Sequence, residues 1–372
     1  MPDLKTKARY LMIGGFLGAG KTTAILRIAE RLRDRGLKVG LITNDQSFGL
    51  VDTAMLSSHG FQVEEITGGC FCCKFNSLVD ASDRLSTETR PDVFIAEPVG
   101  SCTDLKATVD YPLRRIYGND FSVAPLSVMV DPIRASRILG LETGKSFSKK
   151  VVYIYRKQLE EAEIIVVNKT DLLSPDRLAA LVVALKAEFP SAHVLPVSAR
   201  EGSGIDEWIC LMERNEPRTT GAMDVDYEVY AEGEALLGWL NSMIRVEAAG
   251  PTDGNAVLLD IASRVQASLH SHDVEIAHLK LTLTPDEGND IAVANLVRND
   301  GGPELSHMLQ EPIEAGQLIL NLRAEADPDL LRDVIIQTLK DIVWQNGFGL
   351  AIEHLESFRP GKPEPTHRMA SV

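Results

Sequence analysis

The chain has 372 residues, of which 44% are apolar and 24% charged, and its formal net charge is −15. This length exceeds one ordinary hydrophobic core and predicts two or three domains. The negative charge argues against nucleic acid or an anionic membrane as a primary partner. No segment approaches the roughly 20 apolar residues of a membrane span, and the N-terminus lacks an apolar signal region, so we expect a cytoplasmic protein.

Apolar runs alternate with helical patterns through residues 1–217. Residues 9–13 are predicted to form a buried strand that ends in glycines, and residues 22–35 have apolar side chains at helical spacing. Further strands are predicted at 37–43, 61–66, 92–97, 127–131, 164–168 and 193–197. This alternation predicts an α/β P-loop domain with a doubly wound, mostly parallel sheet and ligands at the carboxyl ends of its strands.

The pattern changes after residue 217. Residues 218–224 are small and polar, which is typical of a linker. A smaller C-terminal α+β domain is predicted over 225–358, with a ferredoxin-like arrangement of helices on one face of an antiparallel sheet. Its predicted strands are 226–231, 276–283, 291–297 and 317–324, and its predicted helices are 254–271 and 327–344. The proline-containing tail 359–372 is expected to be disordered.

A P-loop pattern, G-x4-G-K-[ST], follows the first strand and opens the first helix. Its glycines allow the backbone to wrap closely around a phosphate, and the amides and helix N-terminus face the anion. Lys21 is expected to bridge the outer phosphates, and Thr22 to offer its hydroxyl to Mg²⁺. The predicted nucleotide-binding residues of this segment are Gly15, Gly18, Ala19, Gly20, Lys21, Thr22 and Thr23.

An Asn-Lys-Thr-Asp segment at 168–171 directly follows an apolar strand. The two oxygens of its aspartate can accept hydrogen bonds from N1–H and the exocyclic amine of guanine, and its lysine can lie along the base and sugar. Taken alone, the segment is equally a turn whose aspartate caps the next helix. Together with the P-loop and the later Ser-Ala-Arg loop, it favours GTP over ATP. The predicted residues of the guanine pocket are Asn168, Lys169, Asp171, Ser198 and Ala199.

Two acids end predicted strands. Glu97 is placed where P-loop proteins position an acid near Mg²⁺ and the attacking water, and Gly100 can bring an amide near the γ-phosphate. Asp45 is a further candidate for the metal shell or for a nucleotide-sensing loop. Either acid could instead cap a helix. We predict Lys21, Glu97 and Asp45 as the catalytic residues.

Three of the five cysteines, Cys70, Cys72 and Cys73, fall within four positions. In a reducing compartment this crowding favours metal binding over disulfides. Three thiolates are soft donors suited to Zn²⁺ or a similar cation, and they leave one tetrahedral position open. The alternative is three buried small apolar side chains. Cys102 could approach the same face and complete the set, whereas Cys210 is most simply a core residue.

The motifs, taken in their order along the chain, resemble those of the CobW family of P-loop GTPases. This family is related to the nickel-handling UreG and HypB proteins. The resemblance covers roughly residues 8–215 and depends on the P-loop, the Gly-Cys-Phe-Cys-Cys segment at 69–73, the strand end at Glu97 and the segment at 168–171. It implies a metallochaperone or metal-insertion factor that uses GTP with Mg²⁺ and holds Zn²⁺ or Co²⁺ at the cysteines. A client metalloprotein or metal-inserting complex is the implied partner, and homo-oligomerisation is left open.

The chain departs from the family pattern in three places. The usual Asn-Glu-Phe-Gly is Asn-Asp-Gln-Ser-Phe-Gly at 44–49, and the usual Glu-x-[ST]-Gly is Glu-Pro-Val-Gly at 97–100, which removes a hydroxyl. A histidine-rich stretch is missing from the sequence, so the three cysteines are the main candidate for the metal site.

Two functions are compatible with these motifs. In the first, GTP reorders the loops that carry Asp45, Glu97 and the cysteines, and hydrolysis releases the metal or the client. In the second, the protein is a nucleotide- and metal-dependent regulatory binding module with little turnover. A phosphotransferase acting on a small metabolite is disfavoured, because it gives the guanine and cysteine motifs no role.

Overall fold

The computed structural model describes residues 7–45, 51–214, 221–288, 290–346 and 349–372, and the chain divides into two compact units. The first unit comprises Met1–Gln46, Phe61–Tyr230 and Pro363–Val372, and the second comprises Ser47–Gly60 and Ala231–Lys362. This division differs from the predicted boundary in two respects. A short segment before residue 61 belongs to the second unit, and the end of the chain belongs to the first.

The chain alternates strands and helices along its first unit, and the second unit is dominated by antiparallel strands. The strands are β1 Ala8–Gly15, β2 Val39–Asn44, β3 Gln62–Ile66, β4 Val93–Glu97, β5 Phe121–Val123, β6 Ser127–Val130, β7 Ile164–Val167, β8 His193–Pro196, β9 Leu237–Thr252, β10 Glu275–Pro285, β11 Ala292–Leu296, β12 Glu304–His307, β13 Ile313–Glu325 and β14 Gly349–Phe358. The α-helices are α1 Lys21–Asp34, α2 Val51–Ser58, α3 Phe75–Glu88, α4 Tyr111–Tyr117, α5 Pro132–Ile138, α6 Lys149–Glu161, α7 Pro175–Glu188, α8 Ile205–Arg214, α9 Tyr227–Leu236, α10 Gly254–Ser271 and α11 Pro328–Asn346. A π-helical turn, Lys106–Asp110, precedes α4.

The first unit is built on a parallel sheet in the order β3-β2-β4-β1-β6-β7-β8, with β5 paired to β1. The central strand β1 lies between β4 and β6, and its residues 10–15 are buried. Burial on both faces is typical of a parallel sheet covered by helices on each side, and it accounts for the continuous apolar runs of the sequence. The predicted doubly wound α/β fold is confirmed. The carboxyl ends of these strands meet at one edge, where the predicted site residues follow them.

The second unit is an antiparallel sheet in the order β12-β11-β10-β13-β9-β14. Helix α10 connects β9 to β10, and α11 connects β13 to β14. The four strands β10-β13-β9-β14 and these helices therefore form a β-α-β-β-α-β unit, which is the predicted ferredoxin-like arrangement. The hairpin β11–β12 extends the sheet. Apolar residues of both helices, including Ile261 and Ile335, form one core with the inward residues of the strands, such as Leu281 and Leu320.

The strand predicted at 226–231 is wrong, because this segment is part of helix α9. The Asp226 carboxylate accepts hydrogen bonds from the backbone N–H groups of Glu228 (3.0 Å) and Val229 (3.1 Å), and so caps the first turn. The strand begins at Leu237 instead. Residues 215–220, which include part of the predicted linker, lie outside the described residues.

The tail, which we expected to be disordered, is ordered from Pro363 by hydrogen bonds within the first unit. Backbone N–H groups of Thr366 and Met369 donate to the carbonyls of Cys72 and Ala107, each over 2.8 Å. The Arg368 guanidinium donates to the buried carboxylate of Asp104 over 2.7 Å. Because the partners are far away in sequence, composition alone gave no signal for this order.

Within the described residues, no helix combines the length and the apolar character that a membrane crossing requires.

Candidate functional site

The P-loop curls through backbone conformations that favour glycine. Gly15, Gly18 and Gly20 have φ angles of 130°, 80° and 89°. A Cβ on Gly15 would lie 2.3 Å from the carbonyl oxygen of Met129, and one on Gly20 would lie 2.5 Å from Asn168 Nδ2. The loop therefore depends on glycine for its turns and for its close approach to the neighbouring strands.

Lys21, Thr22 and Glu97 are buried together at the carboxyl end of β4 and the start of α1. Lys21 Nζ donates to the carbonyl of Gly15 over 2.9 Å and lies 3.8 Å from Glu97 Oε1. Thr22 Oγ1 donates to the same carboxylate oxygen over 3.3 Å. A hydroxyl beside a carboxylate at the mouth of the P-loop is a donor set that suits Mg²⁺, which prefers oxygen ligands.

Asn168 connects the P-loop to the Ser-Ala-Arg loop. Its buried side chain donates from Nδ2 to the carbonyl of Ala19 over 2.8 Å, and its Oδ1 accepts from the N–H of Ala199 over 3.0 Å. Ser198 Oγ donates to Asp171 Oδ1 over 2.6 Å. The predicted guanine-pocket residues therefore lie at one location, with the Asp171 carboxylate oriented by a neighbouring hydroxyl.

Lys169 has a left-handed backbone conformation with φ of 56°. Its Nζ donates to the carbonyl of Gly18 over 2.7 Å and to Asp131 Oδ2 over 2.9 Å. Asp131 is buried directly after β6, and its other oxygen accepts from the N–H of Arg134. Sequence reasoning missed Asp131, although an acid directly after a strand that neighbours the P-loop strand was the available signal.

Gly100 lies against the P-loop. A Cβ there would meet the Leu17 side chain at 2.7 Å and its backbone nitrogen at 3.1 Å. The buried side chain of Gln158, on α6, donates to the carbonyls of both Gly100 (2.9 Å) and Cys102 (2.8 Å). Gln158 is a second residue that sequence reasoning missed, and no motif marks it.

Asp45 follows β2, and its backbone N–H donates to the carbonyl of Ile66 over 3.1 Å. Its catalytic or metal-binding role stays a prediction, and residues 46–50 of the same loop lie outside the described residues. The neighbouring Asn44 makes the visible connection to the cysteine segment, since its Nδ2 donates to the carbonyl of Gly69 over 2.8 Å. Thr23 lies in the first turn of α1.

The sulfur atoms of Cys70, Cys72 and Cys73 all lie within 4.8 Å of one another. Their separations are 2.6 Å (Cys70–Cys72), 3.3 Å (Cys70–Cys73) and 3.7 Å (Cys72–Cys73). Sulfurs around a tetrahedral zinc ion at the usual distance of about 2.3 Å are about 3.8 Å apart. The last pair already has this spacing, and the first pair must separate by about 1 Å. The three cysteines thus form a group that can hold a metal ion, as predicted.

A tight turn brings these sulfurs together. Gly68 and Gly69 have φ angles of 75° and 150°, and the N–H groups of Cys73 and Lys74 donate to the carbonyl of Cys70 just before α3. The backbone N–H of Glu364, in the tail, donates to Cys73 Sγ over 3.3 Å.

Cys102 lies outside this group of three sulfurs, but it affects the pKa values of two of them. Hydrogen bonds from Cys102, and then from Cys72 and Cys73, hold the pKa of Cys70 well below its usual value. The bonds to Cys102 and Cys70, together with burial, raise the pKa of Cys72. The hydrogen bond to Cys70 likewise raises the pKa of Cys73 to about 11.

Comparisons with known proteins place these features in a family context. The family model described as CobW/HypB/UreG, nucleotide-binding domain, matches residues 9–195. Over 174 residues the chain is 31% identical to the zinc chaperone YeiR of Escherichia coli, covering 46% of this chain and 50% of that protein. Over 213 residues it is 28% identical to the zinc-regulated GTPase metalloprotein activator 1 of Dictyostelium discoideum, covering 50% and 44%. The chain thus spans about half the length of the curated relatives it matches.

Among solved structures, the chain aligns with the hydrogenase maturation factor HypB of Archaeoglobus fulgidus. The sequence identity is 22%, the alignment covers 56% of this chain and 89% of that chain, and the TM-score is 0.38.

Proposed function

Because the chain belongs to the CobW/HypB/UreG family, we propose that it is a GTP-hydrolysing metallochaperone that carries Zn²⁺, or a similar divalent transition metal, on Cys70, Cys72 and Cys73. The names of its relatives, a zinc chaperone and a zinc-regulated GTPase metalloprotein activator, support this proposal. A client metalloprotein or a metal-inserting complex receives the metal, and this transfer takes place in the cytoplasm.

One short segment, residues 97–102, carries the proposal, because it interacts with the P-loop at one end and with the metal-binding cysteines at the other. Glu97 begins this segment and contacts Lys21 and Thr22 of the P-loop. Cys102 ends it, and its thiol shifts the pKa values of Cys70 and Cys72. A nucleotide that displaces the beginning of the segment can therefore also displace its end, and so change the surroundings of the thiols.

In the proposed reaction, P-loop amides and Lys21 bind the phosphates. Thr22 and Glu97 would hold Mg²⁺, which would neutralise charge on the phosphates. Glu97 also orients the attacking water, and Asp45 contributes a further polar group beside it. Asp171, fixed by Ser198, selects guanine. Water attacks the γ-phosphorus as the bond to the bridging β-phosphate oxygen breaks, which gives GDP and phosphate, and the loss of γ-phosphate contacts releases the segment.

Phosphate release from GTP by the purified full chain tests this function. We expect Mg²⁺-dependent turnover of GTP, little turnover of ATP, and loss of turnover in Lys21→Ala. Lys186→Ala, an exposed change in the last turn of α7, is the matched control. Equal turnover of GTP and ATP, or full activity in Lys21→Ala, would contradict the proposal.

A regulatory binding module with little turnover is the second candidate. The Pro98-Val99 pair favours it, because these side chains supply no hydroxyl beside Glu97 to help position water. This candidate predicts tight GTP binding and no phosphate release with Zn²⁺ and a client present.

A further inference from the structure

We propose that residues 363–372, called the strap from here on, cover the three-cysteine metal site and restrain the release of its metal ion. An ion pair between Arg368 and Asp104 anchors the strap in this position. The proposal rests on the proposed metal site, and it does not depend on GTP hydrolysis.

The strap lies on the accessible side of the metal site. Cys70 and Cys72 are buried, whereas Cys73 is half-buried, so the sulfur of Cys73 marks the side from which a metal ion enters or leaves. The backbone N–H of Glu364 donates to this sulfur over 3.3 Å. Thr366 donates from its N–H to the carbonyl of Cys72 over 2.8 Å, and from its hydroxyl to the carbonyl of Cys73 over 3.0 Å. Three hydrogen bonds of the strap therefore end on the metal-binding segment itself.

These contacts suit the metal-loaded form of the site. A cysteine binds a metal ion as the thiolate, and an N–H group directed at a thiolate makes a charge-assisted hydrogen bond, which is stronger than one to a neutral thiol. The hydrogen bond from Glu364 to Cys73 therefore stabilises the loaded form. Transfer of the metal also requires a competing ligand to approach it, and a segment that lies over Cys73 slows this approach.

The anchor of the strap is a buried carboxylate. Asp104 has only 1% of its side chain exposed, and its Oδ2 accepts from Arg368 Nε and from the Tyr227 hydroxyl, each over 2.7 Å. Its backbone is left-handed with φ of 64°, and its carbonyl accepts from the N–H and the hydroxyl of Thr108 over 3.0 Å and 2.7 Å. Because a buried charge is costly without its partner, this fixed carboxylate favours the bound position of Arg368.

The anchor is also close in sequence to the segment that contacts the P-loop. Asp104 comes two residues after residues 97–102, and the first residue of that segment contacts Lys21 and Thr22. A nucleotide that shifts this segment can therefore also shift the carboxylate that holds Arg368. The strap thus gives the nucleotide a way to change the rate of metal release.

The test uses the zinc-loaded chain without nucleotide, mixed with an excess of a chromophoric chelator. Arg368→Ala should transfer zinc about 2- to 10-fold faster than the wild type, the factor that corresponds to the net contribution of one hydrogen bond. Hydrogen–deuterium exchange of the peptide that spans residues 363–372 should also become faster, because its backbone N–H groups lose their partners. Arg368 lies outside the helices and strands of the described residues, so this variant should fold as the wild type does.

Arg35→Ala is the matched control. The side chains of Arg35 and Arg368 are both 41% exposed, and Arg35 pairs with Asp206 and Glu213 at the end of α1 that lies away from the P-loop. This variant should leave both the zinc-transfer rate and the exchange of the strap unchanged.

Two results would overturn the proposal. If exchange of the strap becomes faster in Arg368→Ala while zinc transfer keeps the wild-type rate, the strap does not restrain the metal. If exchange of the strap is unchanged, Arg368 does not anchor it. A wild-type chain that holds no zinc would overturn the proposed metal site together with the strap, and its metal content shows this before any transfer is measured. The rate of phosphate release from GTP is a separate measurement and does not bear on the strap.

Discussion

The side chain of Asn168 donates a 2.8 Å hydrogen bond to the backbone carbonyl of Ala19, and so fastens the guanine motif to the P-loop. The two motifs are far apart in sequence but follow strands of the same parallel sheet, β1 and β7. The same side chain accepts a hydrogen bond from the Ser-Ala-Arg loop. The phosphate and base portions of the candidate site are therefore fixed relative to each other before a nucleotide binds.

Replacing Asp171 with Asn should change the base preference. The amide loses a charged acceptor for guanine, so GTP affinity should fall by about 10- to 100-fold. The amide N–H₂ can donate to the 2-oxo group of xanthine, so binding of xanthosine nucleotides should strengthen. Fluorescent guanine and xanthine nucleotides measure both effects. Asp176→Asn, at the start of α7, should bind as the wild type does; an unchanged GTP affinity in Asp171→Asn would exclude this base contact.

Replacing Glu97 with Gln should separate binding from hydrolysis. The amide keeps the size of the side chain but cannot act as a carboxylate towards Mg²⁺ or water. Phosphate release should fall by about 100-fold or more. GTP affinity should fall much less, because Lys21 and the P-loop amides still bind the phosphates. Single-turnover phosphate release and nucleotide titration measure the two quantities. Wild-type turnover in this variant would remove Glu97 from the reaction.

Deleting residues 363–372 should speed the loss of zinc. The deletion removes the backbone N–H that donates to Cys73 Sγ. It also removes two hydrogen bonds of Thr366, whose N–H donates to the carbonyl of Cys72 and whose hydroxyl donates to the carbonyl of Cys73. We expect zinc transfer to a chromophoric chelator to become severalfold faster, because the thiolates lose both a cover and a stabilising donor. A chain shortened only by Ser371 and Val372 retains these contacts and is the control. Equal transfer rates in the two shortened chains would contradict a protective role for the tail.

Glu161 should make stability fall as pH rises. Burial raises its pKa from an ordinary value of 4.5 to about 8 in the folded chain. Between these values the folded protein keeps a proton that the unfolded chain has released. The free energy of unfolding therefore falls by at most about 1.4 kcal/mol per pH unit because of this group. This loss of stability begins near pH 5 and ends above pH 8.

Glu161→Gln should therefore show a shallower fall in stability over this range, as measured by chemical denaturation at several pH values. The amide oxygen can still accept from the N–H of Lys106, as the carboxylate does over 3.0 Å. The exposed neighbour Glu160→Gln is the matched control. An identical pH slope in wild type and Glu161→Gln would show that the buried carboxyl does not titrate in this way.

The features that followed from the sequence are those set by local spacing. The P-loop glycines, the strand before them and the triad of cysteines are local patterns, and parallel topology predicts that strand ends meet. The positions of Glu97 beside Lys21 and of Asp171 beside Ser198 follow from these two features of the sequence.

The features that the sequence did not predict depend on contacts between residues that are distant in sequence. Asp131 and Gln158 belong to no motif, and only the packed sheet shows that they hold Lys169 and the Gly100–Cys102 segment. The order of the tail depends on its hydrogen bonds to Cys72, Cys73 and Ala107. Helix α9 was mistaken for a strand because its short apolar pattern fits both, and the capping carboxylate of Asp226 decides the outcome.

In the proposed function, the bound nucleotide controls how tightly the chain binds its metal ion. Zinc affinity of the wild-type chain, measured by competition with a chelator, should differ at least about fivefold between a nonhydrolysable GTP analogue and GDP, the lower end of common coupling energies. The difference should shrink when Gln158 is replaced by Leu, which cannot hold Gly100 and Cys102 together. Identical affinities with the two nucleotides would contradict the account.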